Sequence, residues 1–316
     1  MSRIVVTGGA GRLGRSLVAG LADAGHELVS LDRAVSDAGE LQGVEQIAVD
    51  LTDTDAATRA ISDARADALI HLAAIAVPFS APEEVILRTN AAMALGVLSA
   101  GVAAGIPRIV TASSPTVLGY GAPTGWLPER LPLDETTPAK PWNAYALSKL
   151  LAEQTIAMLA RQTGDSTRFA AFRPCYVIAP EEWRGALTQQ GHTVRERLDD
   201  PALSAPALFN YVDARDVATF IDTLLLALPE IPNAEVFFVG ADDALARRPL
   251  AELLPRFVPG TEGLAAGLTG SAPAFSNAKA RRVLGWRPVH TWRGELGEAA
   301  PETSSFPDPA RKDVLA

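Results

Sequence analysis

The sequence predicts an α/β fold, a doubly wound parallel sheet with a small C-terminal α/β cap that binds substrate. Apolar, β-branched runs at residues 4–6, 28–31, 46–49, 68–72, 108–111 and 169–172 alternate with stretches of helical character. Continuous apolar runs separated by helices suit a parallel sheet covered on both faces, because both sides of each strand are buried. A glycine-rich turn, Thr7-Gly8-Gly9-Ala10-Gly11-Arg12-Leu13-Gly14, follows the first run directly. After Pro174 the texture changes, and 179–207 is rich in charge, proline and glycine with no clear period.

Taken in order, the first run and its turn open a helix over 13–24, closed by Gly25. Gly8 permits a tight turn, Gly11 lets backbone approach a pyrophosphate, and Gly14 lets the helix pack close to the sheet. Phosphates then meet free N–H groups at the positive end of the helix. The second run ends at Asp32, about twenty residues past the glycines, where a carboxylate can accept the adenosine ribose hydroxyls of a dinucleotide. Helices follow over 83–105, apolar on most faces, and over 141–162. Beyond 179–207 come a helix at 216–226, a strand at 235–239, and short helices at 250–258 and 277–284. The expected organisation is a dinucleotide-binding unit over 1–178 and about 208–240. The cap takes about 179–207 and 241–296, and 297–316 is a polar, proline-containing tail.

Composition narrows the class. Apolar residues make up 48% and charged residues 21% of the chain, ordinary for a globular protein with a sizeable core. A net charge of −9 with no basic block disfavours nucleic acid and anionic membrane as partners. One cysteine, Cys175, excludes an intramolecular disulfide and a cysteine-rich metal site. No metal site is expected. The early strand leaves no room for a signal peptide and no apolar stretch reaches spanning length, so a cytoplasmic protein is expected.

A second constellation carries chemistry. Tyr145 and Lys149 stand at i and i+4, so both leave one face of a helix. Ser113-Ser114 ends an apolar run upstream. A phenol is a poor base at neutral pH, but an adjacent ammonium favours phenolate. The pair can take a proton from a secondary alcohol as hydride leaves for a nicotinamide, or return one to a carbonyl.

With these residues in view, the chain resembles the extended short-chain dehydrogenase/reductase superfamily of NAD-dependent epimerase/dehydratase type. The resemblance runs from about Ser2 to about Trp292. It rests on Thr7 to Gly14, Asp32, Asp50-Leu51-Thr52, His71-Leu72-Ala73-Ala74, Asn90, Ser113 to Val117, Tyr145 to Lys149, Arg173-Pro174, Asp213 to Ala218 and Ala280 to Pro288. It implies a Rossmann fold with NAD as cofactor. Gly8, Gly11, Arg12, Leu13 and Gly14 would cradle the pyrophosphate, and Asp32 the ribose. Asp50 and Leu51 would flank adenine, Leu72, Ala73 and Ala74 would line the cofactor cleft, and Pro174 to Val177 would contact the nicotinamide. Ser114 would hold the substrate oxygen, Tyr145 would be the acid/base, and Lys149 would orient ribose and tune Tyr145. Asn90 would help order the cofactor site, while His71 reads as a core histidine. Arg33 is a possible partner for a 2′-phosphate, which keeps NADP open.

Departures from the family pattern narrow the reaction. Pro115 and Thr116 replace the acidic pair of the dehydratases, so dehydration is not expected. Leu208-Phe209-Asn210 stands where nucleotide-sugar epimerases commonly carry an arginine for the sugar diphosphate, which puts such a substrate in doubt. Uronate-type dehydrogenases share the serine pair and an arginine after the nicotinamide loop, matched here by Arg184, although their Asn-His after the serines is Pro115-Thr116. Thr116 and Arg184, with Ser114, are the candidate substrate-binding residues. The leading expectation is an NAD-dependent oxidoreductase or epimerase acting on a secondary alcohol or carbonyl of a sugar-like molecule. The uronate-type dehydrogenase is the alternative within that class, and a non-catalytic dinucleotide sensor the alternative outside it. Two apolar helices, 83–105 and the Tyr145 helix with Leu147, Leu151 and Met158, imply a homodimer through a four-helix bundle.

Overall fold

The computed structural model describes residues 1–35, 41 and 43–298. The expected tail, apart from Gly297 and Glu298, lies outside them. Seven strands form one parallel sheet, β1 (Arg3–Thr7), β2 (Glu27–Asp32), β3 (Glu45–Ala48), β4 (Ala68–His71), β5 (Arg108–Ala112), β6 (Arg168–Pro174) and, at the far edge, β9 (Glu235–Val239), in the order β3-β2-β1-β4-β5-β6-β9. A two-residue parallel pair, β7 (Val177–Ile178) and β8 (Val212–Asp213), stands apart from it. The order reverses between β1 and β4. In a doubly wound sheet, that reversal opens a crevice at the carboxyl ends of the strands, where ligands bind.

The strands are where the apolar runs put them, because those inside the sheet are buried on both faces, whereas β3 at the edge is not. Ile4, Val6 and Ile70 join the core on one side, while Val5, Val29 and Leu69 join it on the other. Helices α1 (Arg12–Asp23), α2 (Thr54–Asp63), α3 (Glu83–Ala103) and α4 (Ala144–Thr163) connect the strands of the first half. α1 packs on α7 (Ala214–Ala227), and α3 lies between α2 and α4. α4 starts at Ala144, three residues later than Pro141. The Asn143 side chain caps it by accepting the Ala146 N–H at 2.8 Å, a role that suits asparagine. α7 likewise begins at an Asp213 cap rather than at 216, with Asp213 accepting the Arg215 N–H at 2.7 Å.

α3 corrects one expectation. Its 21 residues are long and apolar enough to cross a membrane by length and composition, although no stretch was expected to be. Here it packs between α2 and α4, and less than half of its most apolar window is buried.

The 179–207 segment, without period in the sequence, holds α5 (Pro180–Trp183) and α6 (Val194–Asp199). Further helices α8 (Leu250–Phe257), α9 (Glu262–Ala265), α10 (Ala278–Leu284) and α11 (Trp292–Leu296) follow β9. Tertiary contacts hold these short pieces. Trp183 donates to Asp213 at 2.6 Å, the backbone N–H of Trp292 donates to the Tyr211 hydroxyl at 2.9 Å, and Arg293 pairs with Asp243 at 2.7 Å.

Candidate active site

The glycine turn is built with no space to spare. Gly8 has φ +76°, and a Cβ there would meet the Ala73 backbone nitrogen at 2.8 Å. A Cβ on Gly14 would stand 2.1 Å from the Gly8 carbonyl oxygen. Gly11 begins α1 with no side-chain cap, and the first turn carries no acidic residue. The Gly8 N–H donates to the Leu31 carbonyl at 2.8 Å and the Gly11 N–H to the Gly8 carbonyl at 3.1 Å, so the N–H groups left for an anion are those of the first turn of α1, residues 12–14. At the end of β2, Asp32 accepts the N–H groups of Ala10 at 3.1 Å and Arg33 at 2.7 Å, which ties the turn to the carboxylate.

One cavity of about 1040 Å³ joins this turn to the second constellation. That exceeds the roughly 300–1,000 Å³ of a drug-sized ligand pocket and leaves room for a dinucleotide beside a smaller molecule. Gly8, Gly11, Arg12, Leu13, Gly14, Asp32, Arg33, Asp50, Leu51, Leu72, Ala73 and Ala74 line one part of it. Ser114, Thr116, Tyr145, Lys149, Pro174 and Val177 line the same cavity. A dinucleotide fits these residues, with the open first turn of α1 for its phosphates and Asp32 for a ribose. Such a cofactor, when bound, supplies the hydride acceptor or donor.

Ser114 ends the β5 segment, and its hydroxyl accepts from the Thr116 hydroxyl at 2.9 Å and also hydrogen-bonds the Tyr145 phenol. Burial pushes Tyr145 up to about 12, partly offset by that Ser114 bond. Burial also pulls Lys149 down to about 8; its ammonium donates to the Ala112 carbonyl at 3.0 Å and lies 5.8 Å from the Tyr145 ring centre. The expected tuning of the phenol by the ammonium is therefore not what dominates. Desolvation outweighs it and holds Tyr145 protonated. His71 sits behind the wall with its Nδ1 2.8 Å from the Thr7 hydroxyl, and burial, with the Lys149 charge second, drives it down to about 3. It is a neutral core residue.

The Lys149 shift has a measurable consequence. Its folded pKa lies below the ordinary 10.5, so between about 8 and 10.5 the unfolded chain binds the extra proton and stability rises with pH. Below that window the buried ammonium is a constant cost. Lys149→Met should remove this rise, read as the difference between wild-type and variant urea-unfolding free energies across the window. Parallel curves for the two proteins would contradict the shift.

Two expected site residues stand outside the cavity. Asn90 is buried behind it. Its side chain accepts the Ile75 N–H at 2.8 Å and donates to the Ile75 carbonyl at 3.1 Å and the Ser148 hydroxyl at 3.2 Å. Both amide donors and one acceptor bond are used in fixing the loop after β4 to α4, so the side chain braces the wall behind the cavity lining. Arg184 caps the end of α5 and is exposed, away from the cavity lining. The inward positions of that short helix are taken by Glu182 and Trp183, which turns the next side chain out. Arg12 lines the cavity, but its guanidinium is also held by the Glu182 carboxylate, with Nε at 2.7 Å, and by the Val177 carbonyl.

Other residues join the site without an expectation behind them. Val77, Phe79 and Trp142 form an apolar wall, with the Phe79 and Trp142 rings 5.6 Å apart. Glu153, two turns after Tyr145 on α4, is buried and takes both Nε and Nη2 of Arg173 at 2.8 Å, and accepts the Ser113 hydroxyl at 2.5 Å. That ion pair locks the ends of β5 and β6 to the Tyr145 helix. Its sequence signal was the i+4 step from Lys149 to Glu153. Among the described residues no group of three or more His, Cys, Asp or Glu side chains could hold a metal.

A Rossmann sheet with a glycine cradle and a Ser–Tyr–Lys set in one cavity defines an extended short-chain dehydrogenase/reductase-type enzyme. The model of the NAD dependent epimerase/dehydratase family matches residues 4–240, and the chain belongs to that family. The chain is 25% identical over 319 residues to a UDP-glucose 4-epimerase of Lactobacillus helveticus, covering 91% of this chain and 92% of the relative. It is 33% identical over 208 residues to a uronate dehydrogenase of Agrobacterium fabrum, covering 66% and 74%. Among solved structures, a short-chain dehydrogenase/reductase superfamily protein from Agrobacterium tumefaciens with bound NAD superposes with a TM-score of 0.67 at 25% identity, over 94% of this chain and 96% of that one.

Proposed function

We propose that this enzyme oxidises a secondary alcohol on a sugar-like substrate that carries no nucleotide diphosphate, with net release of reduced cofactor, or in the reverse direction reduces the matching carbonyl and releases oxidised cofactor. The observation that carries the reading is the charge of the cavity wall. Its cationic lining residues among those described are Arg12, Arg33 and Lys149, all on the dinucleotide side or at the acid/base. Asn210, in the Leu208-Phe209-Asn210 stretch where an arginine would clamp a diphosphate, donates to the Ala207 carbonyl and accepts the Tyr176 N–H at 2.7 Å. Losing a bidentate phosphate partner removes a strong charge-assisted contact. Tyr145 would move the substrate proton, Ser114 would hold the reacting oxygen, with Thr116 beside it, and Lys149 would serve ribose and phenol together. Retention of both Tyr145 and Lys149 weighs against a non-catalytic sensor. The cap pieces at 179–207 and 241–296 would shape the substrate side. The test is steady reduction of NAD by a panel of free aldoses and uronic acids; no member giving reduced cofactor would count against the reading.

The cofactor would be NAD, because Asp32 repels a 2′-phosphate and Arg33, the candidate partner for that phosphate, is exposed. Dissociation constants at one ionic strength should favour NAD by about tenfold or more, and equal or tighter NADP binding would contradict the assignment. A homodimer through α3 and α4 follows from their uncovered apolar residues, Leu95 at 46% exposure and Leu151 and Met158 at 38% each. Sedimentation at micromolar concentration should show the dimer, and monomer alone would reject it.

A further inference from the structure

The cavity wall conceals a cation whose charge nothing nearby neutralises. Arg197, on α6, is 1% exposed. Its Nη1 donates to the side-chain oxygen of Gln190, its guanidinium lies 4.2 Å from the Tyr176 ring centre, and its buried Nε has no hydrogen-bond partner. The Tyr176 hydroxyl is likewise buried and unpartnered. No ion pair among the described residues includes Arg197. Besides the Tyr176 phenol, the groups that act on its charge are Arg12 and Glu182, and the Glu182 carboxylate is already held by Arg12 and by the Ala179 N–H at 2.8 Å. Two guanidiniums face one carboxylate, leaving a single positive charge in a desolvated place.

Such an arrangement is costly unless something completes it. A buried cation needs a charged partner, and buried polar atoms are nearly always satisfied. Both groups that touch the Arg197 guanidinium, Gln190 and Tyr176, line the cavity shared with Ser114 and Tyr145. Gln190 is presented there by a turn in which the Thr188 N–H donates to the His192 carbonyl at 2.8 Å and the Gly191 N–H to the Thr188 carbonyl at 2.8 Å. An anion arriving at Gln190 would exchange a neutral acceptor for a charged one without opening the core. One uncompensated positive charge matches a monoanion and falls short of a diphosphate.

We propose that Arg197 and the Tyr176 hydroxyl form a subsite for a carboxylate on the substrate, entering beside Gln190. This rests on the reading of the cavity as a sugar-oxidising site and names the acidic class of sugar it takes. It also moves acid recognition from Arg184, which faces away from the cavity, to a residue 13 positions later in the chain.

The experiment measures binding of D-glucuronate, D-galacturonate, D-glucose and D-galactose to the enzyme–NADH complex by calorimetric titration. Each acid should bind about tenfold or more tighter than its neutral aldose, as one charged hydrogen-bonded contact warrants, and Arg197→Gln should bring the pair within about twofold. Tyr176→Phe removes a hydroxyl that has no partner in the free protein, so it leaves the fold alone and should still narrow the preference severalfold. NADH affinity should not move in Arg197→Gln. Equal binding of acid and aldose by the wild type overturns the subsite, and reduction of NAD by a neutral sugar would then still uphold the oxidoreductase reading. Loss of NADH affinity with the acid preference intact overturns it too, by assigning the guanidinium to the cofactor. A protein that binds no NADH at all defeats both.

Discussion

Tyr145→Phe is expected to abolish turnover while leaving NAD binding nearly unchanged. The substitution takes away the one proposed proton carrier and keeps the ring that fills the wall between Ser114 and Lys149. General acid/base catalysis worth about 10²–10⁴-fold should disappear. The phenol stands protonated, pushed up to about 12 by burial, so its loss deletes a donor that is ready for a carbonyl. In the oxidation direction the same group must lose its proton, and the rate should climb as pH rises toward that value. Ser114→Ala should be milder, because the Thr116 hydroxyl lies 2.9 Å from the Ser114 oxygen and can replace it in part. Single-turnover rates on a confirmed substrate check the ordering. A Tyr145→Phe enzyme that keeps most of its activity would mean that another group moves the proton.

The second large effect falls on the cofactor cradle. In Gly14→Ala the new Cβ would stand 2.1 Å from the Gly8 carbonyl oxygen and 2.7 Å from the Gly9 Cα. Both are backbone atoms of the turn itself, so no side chain can swing away. The turn must shift, and the N–H groups aimed at the phosphates shift with it. Losing two charge-assisted hydrogen bonds costs about 3 kcal/mol, roughly a hundredfold in NAD affinity. Overpacking adds about 1–3 kcal/mol of lost stability. Gly263→Ala is the control, since nothing lies within 4 Å of a Cβ there. Calorimetric titration of NAD against both variants reads the contrast, and equal affinities would remove Gly14 from the cradle.

The sheet was legible because a strand buried on both faces must be apolar throughout, as residues 4–6 and 169–172 show. The proposed acid/base pair was legible because the helical period puts Tyr145 and Lys149 on one face. What stayed hidden depends on long-range partners. β7 and β8, two residues each, exist through their pairing with each other. α5 has four residues and is held by Glu182 to Arg12 and Trp183 to Asp213. Its rotation decides that Arg184 faces solvent, and no local pattern records that choice. Asn90 was read as a residue that helps order the site, but what its side chain holds depended on Ile75 and Ser148, 15 and 58 residues away. The later start of α4 reflects a cap. Asn143 serves the backbone better than Pro141 extends the helix.

The central claim is net hydride transfer from a small, unphosphorylated sugar-type substrate in the Ser114–Tyr145–Lys149 cavity. The direct measurement offers the enzyme free uronic acids and aldoses in one set of assays and UDP-glucose in another, each with NAD. Appearance of NADH and depletion of UDP-glucose are followed together. The account predicts sustained NADH formation with a free sugar or sugar acid and neither NADH nor conversion with UDP-glucose. Conversion of UDP-glucose to its 4-epimer, with no free NADH from any unphosphorylated sugar, would contradict it.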